Sequence, residues 1–441
     1  MTFKLPYLAL LAVVISLQQA PAPSYEEQGR TVVMEMVARH FDKVVPLFDE
    51  RVAKVLTVEK LAQSWDTLLN QTGNFQSIEK VRREEKQGYQ IVYVTCSFQK
   101  GKWDIISVFD AQGHIVQFAP APTASVAPWT QPAYVQNDKF HEREVVVGTS
   151  PWQVPGTLTL PNGPGPFPAV VLVHGSGPND RDEGIGPNKV FKELAWGLAS
   201  QGIAVLRYDK RTLVHGREVA VLTGGFTINE ETVDDARAAV ALLAAQPEIQ
   251  RKRIFVLGHS LGGYVAPRIA TGNPQIAGLI IMAGSTRPLE ELLVEQVRYS
   301  AGLAGKPTPE GEKMIALAEQ SRTEIRDPNL KPGMTVHFLG VPVPASYFLD
   351  LRTYHAPEVA AGLHIPILVL QGDRDYQVGM ADLAGWKRTL EKKPTVTFTV
   401  YPGLNHLFMP GTGPSSDAEY LKPNHVPANV VQDIGAWILK H

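Results

Sequence analysis

The sequence predicts two folding units: a small α+β module, then a larger α/β unit built on a mostly parallel, doubly wound sheet with a helical insertion. Three observations lead there. From about Tyr134 onward, short apolar runs alternate with stretches of helical periodicity, the pattern of strands buried on both faces between crossover helices. Residues 24–120 instead put helical stretches first and alternating strands after them. Between the two lies PAPTASVAPWTQPA, rich in Pro, Ala and Thr, which reads as a linker over 121–133.

Composition bounds the rest. With 441 residues, 44% hydrophobic and 20% charged, the chain is an ordinary globular protein and not a disordered, collagen-like or multi-span membrane one. Lys and Arg number 42 against 44 Asp and Glu, a formal charge of -2, which leaves no basic footprint for nucleic acid. The single cysteine, Cys96, excludes an intrachain disulfide and a zinc ribbon. It lies in the apolar stretch IVYVTCSF and is expected as a small buried hydrophobe. At the start, Lys4 precedes the apolar run LPYLALLAVVISL, too short to span a bilayer comfortably and of signal-peptide length. Residues 1–22 are therefore expected as a signal peptide cleaved near Ala20 or Ala22, giving an exported protein with no integral membrane span; a retained N-terminal anchor is the other reading. A lipoprotein is excluded, because no cysteine follows the apolar run.

In the module, EEQGRTVVMEMVARHFDKVVPLFDE and VEKLAQSWDTLLNQ predict helices. Strands are expected over 75–84, 89–99, 102–109 and 114–118, with Gly88, Gly101 and Gly113 at the turns. No catalytic constellation falls here, which points to binding of a partner or a surface. In the unit spanning 134–441, the strands are PAVVLVHG, IAVLRYDK, RIFVLGHS, AGLIIMAGS, HIPILVLQGD and TVTFTVYPG. NKVFKELAWGLASQ, NEETVDDARAAVALLAAQP and LGGYVAPRIATG supply crossover helices, and ANVVQDIGAWILK closes the chain. One connection, 287–363, is far longer than a crossover and must carry its own helices as a cap. Its aromatic stretch PASYFLDLRTY is placed either to line a pocket or to pack as an ordinary helix.

The chemistry is carried by Gly258-His259-Ser260-Leu261-Gly262, set between an apolar strand and a helix. A nucleophile on so sharp a turn needs glycines two residues before and two after. A serine hydroxyl also needs a base, and the base a partner that fixes its tautomer. Both should follow late strands, in the order Ser, Asp, His. GDRDYQV offers Asp373 and Asp375, of which the second, farther from the strand end, is the expected acid and the first a turn cap. GLNHLF offers His406 as the base; His425, just before the last helix, is expected to cap it or face solvent. The remaining histidines read as surface or packing groups, with His259 pointing away from Ser260. After the strand PAVVLVHG, the loop Gly175-Ser176-Gly177 presents backbone N–H groups, so the amides of Ser176 and Leu261 are the expected oxyanion donors. Asn179 to Glu183 and Arg207 to Arg211 are expected as a polar network bracing that loop. A phosphate loop is excluded, because neither Gly-Lys-Ser/Thr nor Gly-x-Gly-x-x-Gly follows. Side chains suffice for acyl transfer, so no cofactor and no metal are expected.

The blocks HGSGPNDRDE, RYDKRT, GHSLGG, GDRDYQV and GLNHLF, in this order, resemble the bacterial α/β-hydrolase carboxylesterases of the EstD type, from about residue 140 to the end. The preceding module is similar to a small domain of unknown function found ahead of such enzymes. The resemblance implies the α/β-hydrolase fold, with Ser260, Asp375 and His406 as nucleophile, acid and base. It further implies hydrolysis of small carboxylic esters with short acyl chains through an acyl-serine. A prolyl-oligopeptidase-like peptidase or an acyltransferase on the same fold is the alternative. RYDKRT carries Thr212 where these enzymes commonly have glycine.

Overall fold

The computed structural model describes residues 24–86, 88–123, 129–219, 222 and 225–441. The expected signal peptide, 1–22, lies outside the described residues. Contacts divide the chain into two compact units, Met1–Ser125 and Val126–His441.

In the first unit, four strands form an antiparallel meander: Phe75–Lys86, Tyr89–Phe98, Gly101–Phe109 and Ile115–Pro122. Alternation decides which face is covered. Val92, Val94, Cys96 and Phe98 all point to one side, where the helix Tyr25–Val37 sets down Val32, Val33 and Met36 and the helix Val58–Thr72 sets down Leu61, Trp65 and Leu68. Ser24 opens the first helix with a reciprocal capping box to Glu27, and Thr57 caps the other.

The second unit is an eight-stranded sheet. Its order is Val396–Tyr401, Ile367–Gly372, Ile276–Met282, Ile249–His259, Phe167–Val173, Ala204–Tyr208, Val154–Pro161 and Phe140–Val147. The first six run parallel, and the last two are antiparallel to their neighbours. Those two strands escaped the sequence reading; Phe140–Val147, at the sheet edge, is mostly exposed and begins with the polar stretch His141-Glu142-Arg143-Glu144, while Val154–Pro161 is buried beside it. The inner strands divide their side chains between two cores. Ala169, Val171 and Val173 face the helices Asp234–Ala244 and Leu261–Ala270, while Val170 and Leu172 face Val190–Ala199 and Ala428–Lys440.

The long insertion carries the helices Leu289–Gly302, Pro309–Arg326, Ala345–Arg352 and Ala356–Ala361, with a hairpin of Thr335–Phe338 and Val341–Pro344 that the sequence did not suggest. The expected linker also differs. Ala121 and Pro122 still belong to a strand, 124–128 lie outside the described residues, and Trp129 is docked, its indole N–H donating to Glu193 at 2.9 Å beside the Trp196 ring.

Cys96 is fully buried, and its burial, with Asp104 nearby, pushes the thiol up to about 12. It is therefore expected to stay silent toward an aromatic disulfide reagent in native protein and to react fully in guanidinium. Native-state reaction within minutes would show that the module opens.

Candidate active site

Ser260 is the single residue between the strand Ile249–His259 and the helix Leu261–Ala270. It holds φ 54° and ψ −116°, a conformation that side-chain-bearing residues seldom adopt. The turn closes only because its flanks lack side chains. A Cβ on Gly258 would lie 2.1 Å from the carbonyl oxygen of Gly262, and one on Gly262 would lie 2.1 Å from that of Val173. Gly175 plays the same part from the neighbouring loop, where a Cβ would lie 3.2 Å from Cβ of Ser260. The three glycines let three backbone segments meet at one serine.

His406 and Asp375 sit at the ends of the two strands beyond. His406 Nδ1 lies 2.7 Å from Asp375 Oδ2, with the aspartate side chain fully buried and the histidine nearly so. The other carboxylate oxygen accepts the amides of Gln377 at 2.8 Å and Val378 at 2.9 Å, and Gln371 Nε2 donates to Oδ2 at 3.2 Å. An acceptor so placed fixes the proton on Nδ1 and leaves Nε2 free to take one. Asp373 does the other task expected of it, accepting the Gly403 amide at 2.7 Å in the turn. Asn405 holds the His406 loop, its side-chain oxygen accepting the amides of Leu407 and Met409 at 3.1 Å each.

Ser260, His406, Ser176 and Leu261 line one cavity of about 180 Å³. Leu261 is the first residue of its helix, so its N–H has no intrahelical acceptor. In the other loop the Gly175 amide is already taken by Glu183 Oε1 at 2.8 Å, which leaves Ser176 to offer the next one. The polar brace behind this loop is dense. Lys210 Nζ donates to the Gly175 carbonyl at 2.8 Å and to Glu231 Oε1 at 2.6 Å, and Asn179 Nδ2 donates to the carbonyls of Gly175 and Ser176 at 3.1 Å each. Arg181 pairs with Asp209, and Arg207 with Asp182.

One histidine meets its expectation only in part and another departs from it. His425 does not cap the last helix; its side chain is about a third exposed, as the solvated reading expects in part, but it also lies 2.8 Å from Glu193, whose buried carboxylate accepts the amide of Val426. His259 does not point away from Ser260. Its ring is buried, lines the same cavity, lies 4.8 Å from the ring of His406 and donates from Nε2 to the His406 carbonyl at 2.9 Å. Sequence reasoning also missed Glu183, Gln371 and Asn405. Glu183 stood inside the expected polar network, but nothing local marks its reach to Gly175 and His259.

The cap supplies Leu289, Leu292 and Gln296 to the catalytic cavity. Through Ser176, Leu289 and Gln296 this cavity adjoins a second of about 430 Å³, walled by Phe226, Leu293, Phe338, Val343, Tyr347 and Phe348. The stretch PASYFLDLRTY thus lines a pocket. Among the described residues no group of His, Cys, Asp or Glu is placed to hold a metal ion, and no helix is long and apolar enough to cross a membrane.

Residues 166–410 match the family model described as serine aminopeptidase, S33, and residues 30–118 match the protein of unknown function DUF3887. Esterase EstD of Thermotoga maritima is 35% identical over 419 residues, covering 95% of this chain and 96% of its own. The monoacylglycerol lipase of Mycolicibacterium smegmatis is 26% identical over 262 residues, 57% of this chain and 83% of its own. Among solved structures, a hyperthermophilic esterase from the archaeon Pyrobaculum calidifontis is 16% identical, with a TM-score of 0.44 over 71% of this chain and 85% of that one. Identity sustained along nearly the whole length of both chains, on a sheet of this topology, decides the relationship: the chain belongs to the α/β-hydrolase family of serine hydrolases that includes esterase EstD.

Proposed function

We propose that this protein is a serine carboxylesterase in which Ser260 is the nucleophile, His406 the base and Asp375 the acid that orients it. The observation that carries the reading is the buried 2.7 Å contact between Asp375 and His406 beside a serine held on a strained turn. Ser260 Oγ attacks the ester carbonyl carbon and passes its proton to His406 Nε2, while Asp375 stabilises the imidazolium. The amides of Ser176 and Leu261 receive the oxyanion. Its collapse expels the alcohol, which takes the proton from His406. Water, deprotonated by the same histidine, then attacks the acyl-serine and releases the acid.

The family model's description names an aminopeptidase, and such an enzyme must hold a free ammonium group. Among the described residues lining the catalytic cavity, Glu183 is the one carboxylate, and it is already committed to the Gly175 amide and to His259. The ester reading also agrees with the relative that matches along nearly the whole chain. The substrate is a small ester with a short acyl chain, and the aromatic-walled cavity beside the site sets the upper limit of its apolar part. Outside the catalytic unit, we take residues 1–22 to direct export, and the N-terminal module to bind a partner or a surface. The apolar run after Lys4 supports the first, and the module's lack of a catalytic constellation supports the second.

Ser260→Ala is expected to lower kcat on p-nitrophenyl butyrate by about 10⁵- to 10⁶-fold. In wild type, kcat/KM should rise with pH through one ionisation, since the base acts unprotonated. More than a few per cent residual activity in the variant would overturn the assignment. Val343→Trp, which fills the second cavity, should shift the p-nitrophenyl ester preference toward acetate with kcat on acetate retained; an unchanged chain-length profile would remove that cavity from the substrate path. Sequencing of the mature protein should find an N-terminus just after Ala20 or Ala22, and deletion of 24–120 should abolish association with cell-wall material.

A further inference from the structure

The buried pair beside the catalytic base has no part in the steps above. Glu183, 1% exposed, faces the Gly175 amide with one carboxylate oxygen at 2.8 Å and His259 Nδ1 with the other at 3.0 Å. His259, 2% exposed, donates from its other nitrogen to the backbone carbonyl of His406 at 2.9 Å. Both neighbours of this ring are therefore acceptors. A carbonyl oxygen has no proton to give, so Nε2 carries one; Glu183 Oε2 lies at ion-pair distance from Nδ1, 3.0 Å, but off the direction of an N–H, and neither of these buried atoms has a hydrogen-bond partner among the described residues. A buried carboxylate this close to the ring needs a balancing charge, and a ring protonated on both nitrogens supplies it while leaving Glu183 ionised to accept the Gly175 amide.

From this arrangement we infer that Glu183 and a lasting His259 imidazolium form a positioning pair, which ties the oxyanion loop to the loop of the catalytic base. The inference rests on the reading of His406 as that base. The chain of contacts runs from the Gly175 amide through Glu183 and His259 to the His406 carbonyl, so it fixes the two walls between which the ester carbonyl must sit. Its charge acts as well. The imidazolium ring lies 4.8 Å from that of His406, so removing its charge alters the field at the base.

The surrounding groups are consistent with this charge state. The carboxylates of Glu183 and Asp375 hold the His259 ring above the usual histidine range against the burial that pushes it down. Against burial, His259 and the Gly175 amide hold Glu183 below the usual carboxylate range. His174, the other buried histidine beside Glu183, cannot take the proton in its place: burial, with Lys210 nearby, pushes it down to about 4. His406 completes the set of titratable groups facing the pair.

Glu183→Gln separates charge from contact. The amide oxygen can still accept from Gly175 while its uncharged NH2 takes the place of the charged oxygen beside Nδ1 of a neutral His259, whose Nε2–H still reaches His406. Wild-type protein labelled with ¹⁵N-histidine should show His259 doubly protonated at pH 8, with the resonance assigned by its loss in His259→Gln. In Glu183→Gln the ring should become the neutral Nε2–H tautomer, and the acid limb of kcat/KM should move to higher pH. Its kcat on p-nitrophenyl butyrate should fall about ten- to a hundredfold with little change in KM. A neutral His259 in wild type at pH 7 would overturn the proposal without recourse to any variant. So would a Glu183→Gln enzyme with the wild-type acid limb and kcat. Failure of the esterase reading would appear elsewhere, as activity surviving in Ser260→Ala.

Discussion

Everything at this site is arranged around one crowded point, the turn at Ser260. Its backbone is held at φ 54° where the strand Ile249–His259, the loop after Phe167–Val173 and the helix Leu261–Ala270 meet. Strain of this kind costs about 1–3 kcal/mol and persists only where the surroundings over-determine it. Here the hydrogen-bonded register of the parallel strands supplies the determination. Gly258 pairs with Val173 on one side and with Ile281 on the other, so the turn cannot relax without shifting the centre of the sheet. The same crowding dictates the glycines. At 2.1 Å from backbone oxygens, no side chain fits at Gly258 or Gly262.

The second constraint is electrostatic. The loop that faces Ser260 is held from behind by ionised groups with little access to water: Lys210 with Glu231, Arg211 with Asp235 and Arg207 with Asp182. Burying such pairs is weak evidence for stability, since desolvation offsets most of their attraction. What they supply is a single allowed arrangement. Lys210 can satisfy its charge only by reaching both the Gly175 carbonyl and Glu231, and in doing so it sets the direction in which the next amide, that of Ser176, points. An oxyanion donor needs that orientation before substrate arrives, because reorganisation during the reaction would cost what the hydrogen bond gains.

These two constraints explain what was legible in the sequence. The turn is local: its glycines, its strand and its helix are contiguous, so Ser260 could be read with its context. Asp375 and His406 were legible because strand ends in a parallel sheet converge on one edge. The polar brace was legible as a pair of clusters, though not as particular contacts. His259 was misread because its direction depends on Glu183 and on the His406 carbonyl, which local pattern does not bring together. The strand Phe140–Val147 was passed over because an exposed edge carries charged residues in place of apolar ones. The cap hairpin failed for a similar reason, as its four-residue strands hold too few apolar positions to show a period.

The cap completes the argument from position to selectivity. The proposed catalytic residues Ser260, Asp375 and His406 follow the ends of sheet strands, whereas the walls of the larger cavity come from insertion segments such as Phe338, Val343, Tyr347 and Phe348. Bond-breaking geometry and substrate choice thus rest on different parts of the chain. Where they touch, the shared residues are Ser176, Leu289 and Gln296, one from the oxyanion loop and two from the first cap helix. An apolar group seated in the larger cavity must press on that helix and lie against the loop that offers the oxyanion amide. On the proposed reading, the non-reacting part of the ester is therefore held beside the carbonyl that reacts, by residues the two cavities share.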